Sequence, residues 1–153
     1  MTGKELEILL EKDDIDVIEK PLREGTKGLY GDGLIAINKN LDTRKEKLCA
    51  LAEELGHHYT SYGDITDLTK LENKKQEKRA RAWGYERLVG IIDLVSAYKN
   101  GIRNRYELAE FLNVPEKYIE EALNYYKEKY GLFYQIDNYM ICFEPLSILE
   151  RFE

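Results

Sequence analysis

Residues 53–58 read Glu-Glu-Leu-Gly-His-His, and they close a stripe of Leu48, Leu51, Ala52 and Leu55 whose spacing is helical. Thr43, with Glu46 three residues on, is a capping-box pattern that opens this helix and leaves the hexapeptide in its last two turns. Residues four apart share a helical face. Glu53 and His57 therefore point the same way, with Glu54 beside them. The hexapeptide is one residue away from H-E-x-x-H, in which ligands at i and i+4 hold zinc and the glutamate beside the first acts as general base. With that spacing Glu54 takes the place of the base, His57 of the second ligand, and Glu53 stands where the first histidine would be. Gly56 costs about 1 kcal/mol against alanine in a helix, but it lets another segment approach closely.

The rest of the chain bounds what can surround such a helix. Its 153 residues suffice for one domain, or one with an appendage, and for a genuine core. A net charge of −6 argues against broad nucleic-acid binding, which needs a clustered basic surface. The two cysteines, Cys49 and Cys142, are too few and too far apart for a disulfide framework, which fits a reducing, cytoplasmic setting. The N-terminal residues contain no apolar signal region, and no run approaches a membrane span. Twelve tyrosines against four phenylalanines suggest half-buried rings with wet hydroxyls.

Along the chain, Leu6, Leu9 and Leu10 give residues 2–12 an amphipathic helical pattern, and Pro21 interrupts whatever follows Ile15, Val17 and Ile18. Residues 25–38 read as a hairpin turning at Gly31-Asp32-Gly33, with Ile35 and Ile37 on one face. After the hexapeptide helix, residues 60–73 are polar and loop-like. A second helix is expected from about Lys74 to Lys99, ended by Asn100-Gly101. A short helix over 106–113, a turn at Val114-Pro115, a helix over 116–129 and two strands, 132–136 and 139–143, complete the chain. The expected join between two domains lies at 99/100.

A metal site needs a third ligand from elsewhere. Glu77, early in the second helix, is the leading candidate and Asp64, just past the first helix, the alternative. Either would complete a set of one imidazole and two carboxylates, with a position left open for water. Carboxylate in place of imidazole weakens the preference for zinc and suits manganese or iron comparatively better. Without a metal, Glu53, Glu54 and Glu77 repel one another, so at least one is expected to titrate high. A di-iron bundle also uses Glu-x-x-His but needs two copies, and the histidines here are 57 and 58 alone.

The order of the pieces adds a resemblance. The hairpin Gly-Leu-Tyr-Gly-Asp-Gly-Leu-Ile-Ala-Ile-Asn, the helix with Leu-Ala-Glu-Glu-Leu-Gly-His-His-Tyr-Thr, and then Glu-Lys-Arg-Ala-Arg-Ala-Trp resemble the ImmA/IrrE family of metallopeptidases over roughly residues 15–90. The resemblance implies a compact zincin-like α+β domain, here residues 1–99, whose H-E-x-x-H helix packs against a small sheet. It implies a third ligand from an E-x-x-A segment, which falls on Glu77 followed by Ala80. The catalytic glutamate falls on Glu54 and the second ligand on His57. The first ligand falls on Glu53, where the chain departs from the pattern. It implies zinc, or another divalent metal such as manganese, and an endopeptidase activity. Members in prophages and mobile elements act as anti-repressors that cleave a helix-turn-helix repressor, so such a repressor is the expected partner. The altered ligand motivates an alternative, an inactive protein that keeps the fold and antagonises a repressor by docking.

The remaining residues carry weaker signals. His58 is expected to pack or cap the helix end, and Tyr59, one of many tyrosines, to be structural rather than an oxyanion donor. The basic cluster Lys74, Lys75, Lys78, Arg79 and Arg81 is diluted by Glu72, Glu77 and Glu86 and reads as a solvated helix face. Residues 100–153 have the spacing of a helix-turn-helix with a wing-like strand pair. The would-be recognition helix begins Glu116, Lys117, Tyr118 and carries Glu120 and Glu121, which argues against direct DNA binding and for a protein-docking lobe.

Overall fold

The computed structural model describes residues 3–60 and 70–152. It is a mixed α+β structure that divides into two units, Met1–Leu88 and Val89–Glu153.

In the first unit, helix α1 (Gly3–Lys12) is followed by strands β1 (Asp16–Lys20), β2 (Gly28–Gly31) and β3 (Leu34–Asn38). The expected hairpin is β2–β3. Gly31 pairs with Leu34, leaving Asp32 and Gly33 as a two-residue turn at φ of +46° and +75°. Left-handed conformation at both central residues matches the twist of the flanking strands, which is why Asp-Gly serves here. The sheet order is β1-β3-β2, with β1 parallel to β3. Ile35 and Ile37 lie in the core, but Ala36 and Asn38 between and beyond them are buried too. Both faces of this central strand are covered, so the one-sided alternation expected of a hairpin is absent. The Asn38 side chain accepts from the Leu22 and Asn40 amides and donates to the Thr26 carbonyl, tying the preceding loop to the strand.

Helix α2 (Arg44–Thr60) opens as its capping pattern requires, the Thr43 hydroxyl accepting from the Glu46 amide at 3.1 Å. It packs on β2 and β3 and along helix α3 (Lys70–Leu88). At Gly56 the two helix backbones come close together. A Cβ there would lie 2.2 Å from the Ala80 carbonyl oxygen, so only glycine permits this helix spacing. Leu6, Ile35, Leu55, Ala80 and Leu88 form the centre of the core.

The single helix expected over 74–99 is two helices, and the division between the units falls at 88/89, where 99/100 was expected. α3 ends at Leu88, and α4 (Ile91–Lys99) starts anew from Gly90, whose extended backbone offers its amide to the Asp93 carboxylate at 2.9 Å. Gly-Ile-Ile-Asp is thus a helix start hidden within a continuous apolar pattern. The second unit continues with α5 (Arg105–Leu112), α6 (Glu116–Tyr130) and an antiparallel sheet of β4 (Phe133–Ile136), β5 (Tyr139–Phe143) and β6 (Leu146–Glu150). Asn104 caps α5 by accepting from the Glu107 amide, and Asn113 ends it in the left-handed conformation. β4 and β5 match the expected strand pair, and β6 is an addition. Leu94, Leu108, Ile119, Leu123, Ile141 and Phe143 close its core around Tyr126, whose hydroxyl donates to the Val89 carbonyl. Among the described residues no helix is long and apolar enough to cross a membrane.

Candidate metal centre

The close crossing at Gly56 and Ala80 brings the last turns of α2 against the first half of α3. Glu53 and His57 share one face of α2, and Glu77 meets them from α3. One ligand atom from each of these three residues lies within 4.8 Å of the other two, and among the described residues this is the group of that kind. His57 Nε2 is 3.3 Å from Glu77 Oε1. Asp64, the other candidate third ligand, lies outside the described residues.

Arg81, one turn beyond Glu77, completes the cluster. Its Nε donates to Glu53 Oε1 at 3.3 Å, and its Nη2 lies 3.8 Å from Glu77 Oε2. The sequence reading assigned Arg81 to a solvated face. Its side chain is indeed half exposed, yet its head is spent on the two carboxylates. Glu77 therefore divides its oxygens, one toward His57 and one toward Arg81.

Glu54 is buried, with 7% of its surface exposed, and lies over strand β2. A Cβ on Gly28 would stand 3.0 Å from Glu54 Cγ and 3.2 Å from Oε1, so glycine leaves the space that the carboxylate fills. Burial, then the charges of Glu53 and Glu77, push the Glu54 carboxyl up to about 8. Glu53 is also raised, first by burial, against the opposing pull of Arg81, and further by its contact with Glu77. Both acids are thus raised first by burial, with their carboxylate neighbours adding to it. Two carboxylates and an imidazole, with the buried Glu54 beside them, form a donor set suited to a dication.

His58 and Tyr59 are turned away into a separate polar network. The Tyr30 hydroxyl is hydrogen-bonded to His58 Nδ1 at 2.6 Å, and His58 Nε2 lies 3.9 Å from the Asp13 carboxylate. Tyr59 donates to the same carboxylate and stacks on Trp83 at 5.3 Å between ring centres. Burial, together with the hydrogen bond to Asp13, pushes the Tyr59 hydroxyl up to about 12. Its hydroxyl is thus engaged in packing the helix end. Gly28 and Tyr30 stood in the sequence only as parts of the hairpin motif, and Asp13 carried no signal; strand register and the α1–β1 turn bring them here.

A family model described as an IrrE N-terminal-like domain matches residues 10–124, well over half of the chain. No curated protein matches it. The matched span contains the hairpin, both site helices and every residue of the Glu53–His57–Glu77 cluster. The family is of metallopeptidase type and implies a divalent metal, which agrees with the donor set of the cluster. The chain belongs to the ImmA/IrrE family of metallopeptidases.

Proposed function

We propose that this chain is a zincin-like metal-dependent endopeptidase in which Glu53, His57 and Glu77 hold zinc or another divalent cation. One observation carries the reading: ligand atoms of these three residues, drawn from two helices, lie within 4.8 Å of one another. A cation held there would supply Lewis acidity toward water and toward the peptide carbonyl. Glu54, buried beside the cluster on the Gly28 floor, accepts the proton of the attacking water and passes it to the leaving amine. Carboxylates at both 53 and 77 neutralise a dication, which favours harder metals than two imidazoles would.

The biological role in this reading is that of a cytoplasmic anti-repressor of a prophage or mobile element. Its substrate is a helix-turn-helix repressor, and the second unit, winged-helix-like in the order of its helices and strands, serves as the docking lobe. The acidic start of α6 supports protein rather than DNA as its partner. Co-incubation with a repressor encoded beside it tests the assignment. Glu54→Gln is expected to keep fold and metal content while abolishing cleavage, and undiminished cleavage by that variant would remove Glu54 from its role.

A second reading is a non-catalytic protein that antagonises the repressor by docking alone. It is favoured by Arg81, a resident cation already paired with Glu53 and Glu77. Elemental analysis of protein purified without chelator separates the two, because only the enzyme requires a stoichiometric metal.

A further inference from the structure

We infer that Arg81 is the electrostatic counterpart of Glu53, returning to the cation's surroundings the positive charge that a carboxylate removes when it stands in for an imidazole. The inference rests on the cation-holding reading above and deepens it.

Charge counting states the problem. A dication among two imidazoles and one carboxylate keeps one net positive charge. Among Glu53, His57 and Glu77 it keeps none. A neutralised cation polarises a carbonyl less and assists ionisation of water less. One guanidinium restores the balance, and Arg81 stands where such a charge acts. It follows Glu77 by one helical turn, reaches Glu53 Oε1 at 3.3 Å and Glu77 Oε2 at 3.8 Å, and leaves Glu77 Oε1 toward His57. Arginine suits the task because its planar fork spans two carboxylates and stays charged at any working pH. In the metal-free protein the same contacts hold Glu53 and Glu77 together against their mutual repulsion. Arg81 is thus a positioning and charge-balancing residue, and it competes with the cation for carboxylate oxygen.

The experiment uses the full chain and the variants R81Q, R81K, E53H and E53H/R81Q. Affinity for zinc and for manganese is read by competition with a chromophoric chelator, and the melting temperature of each metal-free protein is measured alongside. R81Q is expected to bind both ions about tenfold more tightly, since a competing and repelling charge is gone. The metal-free form of R81Q is expected to melt lower, its carboxylates uncompensated. R81K, which keeps the charge but not the fork, is expected to fall between the parent protein and R81Q. In E53H the guanidinium keeps only its 3.8 Å contact with Glu77 and no longer offsets a carboxylate at 53, so adding R81Q is expected to change affinity by at most about threefold. Unchanged or weaker binding by R81Q, R81K behaving like R81Q, or an equal effect in the E53H background would each overturn the inference while leaving the cation site standing. Failure of both the parent and R81Q to bind either ion would instead overturn the cation site itself, and this inference with it.

Discussion

Glu54 combines burial, a glycine floor and two acidic neighbours, and its protonation ties the site to the stability of the whole unit. Its carboxyl rises from 4.5 to about 8 in the folded protein. A folded-state value above the unfolded one means that the stabilisation is full below about 4.5 and is lost as pH climbs through about 8. Metal-free protein is therefore expected to lose of order 3 kcal/mol between pH 5 and pH 9, and Glu54→Gln to flatten that slope. Denaturant titrations across the range check this, and stability rising with pH would contradict it. Gly28→Ala is a second test at this scale. The Ala36 carbonyl, 3.2 Å from the added Cβ, is fixed in the sheet, so Glu54 must yield. Cleavage is expected to fall about tenfold or more with metal content unchanged, since small displacements of a reacting group are costly. The gathering of Glu53, His57 and Glu77 was legible at the level of single residues. Glu53, Glu54 and His57 follow from the helical period, and Glu77 from the order of motifs. Arg81 was not, because a run of like charges in sequence hides which one turns toward a carboxylate on another helix.

Between elements, the contact that matters most is the crossing of α2 and α3. Alanine at 56 is the better helix former by up to about 1 kcal/mol. Yet its Cβ would stand 2.2 Å from the Ala80 carbonyl oxygen and 2.9 Å from the Ala80 Cα, backbone atoms that cannot swing aside. Gly56→Ala is therefore expected to destabilise the protein by about 3 kcal/mol and to cost it the cation, because parting the helices parts Glu77 from Glu53 and His57. Thermal unfolding and metal content measured together check the prediction, and a stabilised variant would refute the crossing. At the start of α4, Asp93→Ala removes the acceptor of the Gly90 amide and is expected to cost about 1 kcal/mol without altering the metal. Elements with local signals were readable in advance: the capped start of α2, the Asp-Gly turn and the short helix α5. The break between α3 and α4 was not, because Leu88, Ile91, Ile92 and Val95 continue one apolar stripe across it. Strand β1 also escaped, since all five of its residues are exposed and its place comes from pairing with β3.

For the molecule as a whole, net charge of −6 and an acidic α6 predict that labelled duplex DNA will show no salt-sensitive binding in an anisotropy titration. Tight, salt-dependent binding would reassign the second unit. The chain's two units divide the work in the proposed reading: every residue of the cation site lies in Met1–Leu88, and recognition of the repressor is assigned to Val89–Glu153. Fold class and family were within reach of the sequence because hairpin, ligand helix and E-x-x-A helix come in a fixed order. The boundary between the units depends on a helix break and was out of reach. The most direct measurement is elemental analysis of protein purified without chelator, beside His57→Ala and Glu77→Gln. The account predicts a stoichiometric divalent metal in the parent protein and its loss from both variants. An unaltered chain free of metal, or one whose metal survives both substitutions, would contradict it.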